Sequence, residues 1–116
     1  MVREEAHVAK LVRGIVREER MMAVVTALEN AGVSGVTVIA GNGRGTHTPL
    51  ATYRGVQYRP LLPVYVVDVI ADDDAADDIV RTMLEHGHTG EHGDGHVLVM
   101  GIEECYRVRT RFLEVA

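Results

Sequence analysis

The chain has 116 residues, one cysteine and a formal net charge of −5, and 47% of it is hydrophobic with no Trp and a single Phe. That size makes one domain, residues 1–116, whose core must be aliphatic. It excludes an internal disulfide, leaves no apolar run near the roughly 20 residues that span a bilayer, and disfavours general nucleic-acid binding, since an acidic surface repels phosphates.

The first residues, Met1 to His7, are charged and lack the apolar stretch of a signal peptide, so a soluble, cytoplasmic protein without membrane insertion is expected. Lys10 to Val16 (KLVRGIV) reads as a first strand. Arg17 to Ala31 follows, with Met21, Val24, Val25, Leu28 and Ala31 at the three-and-four spacing of an amphipathic helix, closed by Gly32. Gly35 to Ala40 is a short β-branched strand. Leu61 to Ala71 is a longer one, with Pro63 near its start, where a missing N–H does least harm. Asp72, Asp73, Asp74, Asp77 and Asp78 then lead into a second helix, Ala75 to Glu85, and read as N-caps and favourable charge at its N-terminus rather than as a divalent-cation site. Val97 to Ile102 is the last main strand. The order β-α-β-β-α-β predicts an α+β fold, a ferredoxin-like sandwich of two helices on an antiparallel sheet.

Two segments fall outside that frame. Gly41 to Pro60 is about twenty residues without apolar periodicity, a length that is uncommon for a structureless connection and usually functional; the alternative is a hairpin that extends into it from both flanking strands. Thr89-Gly90-Glu91-His92-Gly93-Asp94-Gly95-His96 is a glycine-rich loop before a buried strand, able to offer backbone N–H groups to a phosphate. Arg107 and Arg109 lie about a dozen residues further on. They alternate along what reads as an extended segment and so should share one face.

Together these features resemble the PII signal-transduction proteins, trimeric regulators of nitrogen and related metabolism. Thr89-Gly90-Glu91-His92-Gly93-Asp94-Gly95 matches the family's B-loop pattern T-G-x-x-G-D-G. Tyr53-Arg54-Gly55-x-x-Tyr58 matches the Y-R-G-x-x-Y of its T-loop, and Arg107-Val108-Arg109-Thr110 matches R-x-R-T after the last strand. The resemblance runs from about Lys10 to Arg111 and implies a T-loop at 41–60, a B-loop at 86–95 and a C-terminal segment at 105–116. It further implies a homotrimer with an adenine-nucleotide site (ADP, AMP or ATP) in each cleft between subunits. Thr37 would touch the adenine. Gly41, Gly43 and Arg44 would start the T-loop beside the phosphates. Thr89, Gly90, Gly93, Asp94, Gly95 and His96 would wrap them, and the neighbour's Arg107 and Arg109 would approach the same nucleotide. The T-loop would engage a membrane transporter, a channel or a metabolic enzyme through Tyr53, Arg54 and Tyr58. Tyr58 aligns with a tyrosine that some members carry uridylylated.

The chain departs from the family at one subsite. His96 stands where the family has a lysine reaching the outer phosphates; imidazole is shorter and mostly uncharged at neutral pH. Gly45 or Thr46, depending on register, replaces the glutamine that chelates magnesium. Val64, after Leu62-Pro63, replaces the lysine that pairs with 2-oxoglutarate. The expectation is an adenine-nucleotide regulator without the magnesium-ATP and 2-oxoglutarate response.

The alternative is a metal-binding protein like PII or CutA, with His86, His88 and His92 as ligands, because these and His96 crowd eleven residues, His47 lies in the long loop, and imidazole ligates zinc, copper and nickel. Their spacing matches no standard zinc site. An RNA-recognition module would need aromatic residues on its central strands, where this chain has Val, Ile and Met. An enzyme would need a nucleophile, base or metal set against substrate, and no catalytic residue is identified.

Overall fold

The computed structural model describes residues 3–115, starting with a short strand, β1 (Arg3–His7). β2 (Ala9–Arg17) and α1 (Glu18–Asn30) follow, then β3 (Thr37–Gly43), β4 (Ala51–Tyr53), β5 (Val56–Tyr58) and β6 (Leu62–Asp72). α2 (Ala76–Gly87), β7 (His96–Ile102), β8 (Cys105–Tyr106) and β9 (Leu113–Val115) complete the order. β3, β6, β2 and β7 lie side by side in that order, antiparallel throughout. With α1 and α2 this is the ferredoxin-like arrangement the periodicity predicts.

Period-two alternation on β2 sends Val12, Gly14 and Val16 to one face and Arg13, Ile15 and Arg17 to the other. The inward set meets Val67, Val69 and Ala71 of β6, and the two helices cover it. α1 contributes Val24 and Leu28; α2 contributes Ala76, Ile79 and Met83. Val12, Val24, Leu28 and Val67 are fully buried, each favouring the fold by about 1.5–3 kcal/mol over an exposed position. Glycine lets α2 come close: a Cβ on Gly87 would sit 3.3 Å from Val16 Cγ1.

α1 ends as expected. Gly32, at φ +93, lets its own N–H bond the Glu29 carbonyl at 3.0 Å and the Val33 N–H bond Leu28 at 3.1 Å. The aspartate cluster behaves differently from the capping role predicted for it. Ala75 occupies the cap of α2, with no side-chain hydrogen bond, and its N–H bonds the Asp72 carbonyl at 2.9 Å. Asp77 and Asp78 do stand in the first turn, where negative charge is favourable.

The predicted structureless stretch 41–60 is largely ordered. β3 continues through Gly43, its last three residues paired with Val64, Pro63 and Leu62. β4 and β5 form a hairpin whose two-residue turn is Arg54-Gly55, at φ 52 and 78. Positive φ at both positions matches the twist of a tight hairpin.

The far side of the main sheet is uncovered. Register places Leu11, Ile15, Ile39, Val66, Ile70, Leu98 and Met100 there, around Arg13, which grips Asp68 through two bonds of 2.8 Å. At the end of β7 the chain turns into a second, small sheet ordered β1-β9-β8. The hairpin and this small sheet project from opposite ends, giving extents of 62 × 28 × 20 Å.

Candidate functional site

β2 and β7 stop pairing at Ile15 and His96, so β2 runs two residues past its partner. The space beside Arg17 is filled by the loop 88–95, which starts two residues later than predicted because α2 continues to Gly87. Gly95 makes this approach possible. It sits at φ +94, and a Cβ there would fall 1.7 Å from the Ile15 carbonyl oxygen.

Asp94 organises the loop. Its carboxylate accepts from the Thr89 N–H at 2.8 Å, the Gly90 N–H at 2.9 Å and Arg17 Nε at 3.0 Å, and from the Thr89 hydroxyl. These donors, the Thr89 hydroxyl first, hold Asp94 ionised far below the usual carboxylate range, against an opposing desolvation. Arg17 also donates through Nη2 to the His92 carbonyl at 3.0 Å and through Nη1 to Glu19 at 3.1 Å. Arg20 Nε bonds the His86 carbonyl at 2.7 Å, closing the last turn of α2. The Asp94 side chain and the N–H groups of Thr89 and Gly90 are thus engaged within the protein. Among the described residues, no intramolecular acceptor takes the N–H groups of His92 or Gly93.

The long connection meets this loop. The His47 and His92 rings stack at 3.8 Å between centroids, 11° from parallel. Arg44 spans the foot of the connection, donating to the Arg59 carbonyl at 3.1 Å. Gly41 and Gly43, near its start, lie at the same end of the sheet, since Gly41 pairs with Val64 and Val64 with Arg17.

Arg107 and Arg109 are elsewhere. β7 carries the chain away from the loop for seven residues, about 23 Å at strand rise, before they are reached. They do not follow the predicted alternation. Residues 108–110 form a turn closed by the Arg107 N–H on the Phe112 carbonyl at 3.0 Å and the Arg111 N–H on Arg107 at 2.7 Å. Arg107 pairs with Glu114, and Arg109 is exposed at the turn.

A model of the family "Nitrogen regulatory protein P-II" matches residues 9–111. The chain is 37% identical over 103 residues to nitrogen regulatory protein P-II 2 of Methanothermobacter thermautotrophicus, covering 87% of this chain and 90% of that one. It is 35% identical over 105 residues to a nitrogen regulatory protein P-II of Mesorhizobium japonicum, covering 87% and 92%. The chain belongs to the P-II family. The structure of Arabidopsis thaliana PII bound to citrate superposes with a TM-score of 0.71 at 27% identity, covering 92% of this chain and 85% of that one.

P-II proteins are signal-transduction regulators rather than enzymes. In this member the loop 88–95, Gly41, Gly43, Arg44 and His96 gather at one end of the sheet. Thr37 begins β3 part-way along, opposite Asp68, and is exposed. Tyr53, Arg54 and Tyr58 stand exposed on the hairpin, with the Arg54 guanidinium 5.3 Å from the Tyr53 ring centre.

The histidine alternative is not supported. Among the described residues no three metal-ligating side chains converge. His86 lies in the last turn of α2, His88 is 3.7 Å from Asp94, and His92 is stacked on His47. Among the described residues no helix is long and apolar enough to cross a membrane.

Arg17 is the site residue that the sequence does not reveal, and nothing in the sequence pairs His47 with His92. Outward parity at the end of β2 was the only signal for Arg17, since its partner Asp94 lies 77 positions away.

Proposed function

We propose that this P-II protein is a cytoplasmic, non-enzymatic homotrimer that binds an adenine nucleotide between neighbouring subunits. One observation carries the reading: the glycine loop and Arg107–Arg109 lie toward opposite ends of the main sheet, so the phosphate-facing loop of one copy needs the arginines of another. The uncovered sheet face supports assembly, because Ile39, Ile70, Leu98 and Met100 are exposed there and a lone soluble chain gains by covering them. Thr37, Gly41, Gly43 and Arg44 line the approach to the loop. His92, Gly93, Gly95 and His96 face the phosphates, with Asp94, Thr89 and Gly90 supporting them from within.

The hairpin at 51–58 is the tip of a T-loop spanning 41–60, and its exposed Tyr53, Arg54 and Tyr58 meet a transporter, channel or enzyme. His47, stacked on His92, makes that loop sensitive to the site, since a ligand biases a loop only as far as it favours one conformation. His96 gives a weaker hold on a third phosphate than lysine would. Gly45, Thr46 and Val64 offer no amide for magnesium and no ammonium for 2-oxoglutarate.

Calorimetry with AMP, ADP and ATP, each with and without magnesium and 2-oxoglutarate, tests this. Binding of ADP or AMP, with ATP no tighter and 2-oxoglutarate without effect, is expected. No adenine-nucleotide binding at millimolar concentration removes the reading. Magnesium-ATP binding that tightens with 2-oxoglutarate overturns the claim that this response is lost.

A further inference from the structure

Arg17 carries more hydrogen bonds to the loop 88–95 than any other side chain outside it. It is the last residue of β2, beyond the point where β7 ceases to pair. Its guanidinium takes over the task of the missing strand, meeting the Asp94 carboxylate and the His92 carbonyl on two edges. Both charged side chains are mostly shielded, Arg17 at 19% exposure and Asp94 at 22%, so their attraction is screened less than on an open surface. Gly90, Gly93 and Gly95 all sit at positive φ in this loop. Glycine-rich segments lose most freedom on ordering, so the loop needs an internal restraint to hold one shape without ligand.

We propose that Arg17, acting through Asp94, is a positioning residue that pre-sets the loop 88–95 for nucleotide phosphates, and that the Asp94 side chain itself does not touch the ligand. The inference rests on the adenine-nucleotide reading above. Its chemistry is pre-organisation: ordering completed before binding is not charged against the ligand's affinity. Asp94, with four donors already on its carboxylate, has little capacity left for a magnesium ion or a ribose hydroxyl. The remaining Arg17 contact, Glu19, fixes the third edge of the fork and keeps the guanidinium from turning outward toward an anion.

The test compares the wild-type trimer with Arg17→Gln, Asp94→Asn and the double variant. ADP and adenosine affinities are measured, together with amide exchange of residues 88–95 in the absence of ligand. Loss of hydrogen bonds to a charged group is expected to weaken ADP about tenfold or more in each single variant. Adenosine binding should change less than twofold, because it carries no phosphate, and loop amides should exchange faster. The double variant should be no worse than either single one, as expected for two residues acting through one contact. ADP affinity within twofold of wild type in Arg17→Gln, or fully additive losses in the double variant, overturns the proposal. Equal loss of adenosine and ADP does so too, since that reports a general structural defect. Absence of ADP binding in the wild type is a different result: it removes the nucleotide reading, whatever the loop exchange shows.

Discussion

The imidazole rings of His47 and His92 lie face to face at 3.8 Å, joining the long connection between β3 and β6 to the glycine loop before β7. Nothing else among the described side-chain pairs links these two segments so directly. Aromatic pairing is worth about 0.5–1.5 kcal/mol, and an exposed stack falls toward the low end of that range. His47→Ala should therefore speed amide exchange of residues 44–48 about two- to fivefold while leaving the thermal midpoint almost unchanged. Exchange confined to its wild-type rate would mean that Arg44 and the Thr48 turn hold the connection without the stack.

Gly95 tests how tightly the loop is seated. An alanine there would place its Cβ 1.7 Å from the Ile15 carbonyl oxygen and force an L side chain to φ +94. Neither atom is the end of a flexible side chain, so backbone must move. Gly95→Ala should cost about 2 kcal/mol or more in urea unfolding. Gly101→Ala, on the strand that follows the loop, with nothing within 4 Å of its Cβ, should stay within about 0.5 kcal/mol of wild type. Equal effects of the two would show that the loop gives way without cost.

The sandwich was legible because its signals are local. Val24 and Leu28 on α1, and Ile79 and Met83 on α2, repeat at helical spacing, and Val12 and Val16 alternate with charge on β2. Gly32 could be read as a helix stop for the same reason. What escaped depends on distant partners. β1 and β9 pair across more than a hundred residues, and β9 offers only three. The hairpin at 51–58 was hidden because its strands have no buried face to impose alternation; only Arg54-Gly55 marks it. Alternation at Arg107 and Arg109 predicts an extended segment, but it does not reveal that Phe112 and Arg111 fold back on Arg107. The glycine motif around Asp94 is plain in the sequence, but the inward turn of the Asp94 side chain depends on the location of Arg17.

The pH dependence of stability should carry the signature of Asp94. Its folded carboxyl lies far below the usual range, whereas an unfolded aspartate titrates near 3.9. A depressed folded value means that the unfolded chain binds the proton more readily. The contribution of Asp94 is thus fully present above about pH 5 and is lost as pH falls through 3.9 toward the folded value. Urea unfolding of wild type and Asp94→Asn should differ most at neutral pH, with wild type the more stable, and the gap should narrow steadily as pH falls below about 4. A gap that stays constant from pH 7 to pH 3 would mean that the carboxylate charge does not hold the loop.

The separation of the glycine loop from Arg107 and Arg109 leads to the most discriminating experiment. Suppose one variant carries Gly93→Val, which spoils the loop, and another carries Arg107→Ala with Arg109→Ala. On the shared-cleft reading, each variant alone should bind ADP at least tenfold more weakly than wild type, the loss expected on removing charge-assisted contacts. The two chains are then unfolded, mixed in equal amounts and refolded. In a mixed ring, a cleft formed by the intact loop of the second variant and the intact arginines of the first has every residue it needs. Random assembly gives about a quarter of clefts this composition, because each side is chosen independently with even odds. Calorimetry should then report wild-type affinity at about a quarter of the wild-type stoichiometry. If loop and arginines served one site within a single chain, mixing would restore nothing, since every chain carries one defect. Recovery therefore measures a property of the cleft that no single-chain variant can reach, and its absence with confirmed mixed trimers would overturn the shared-site reading.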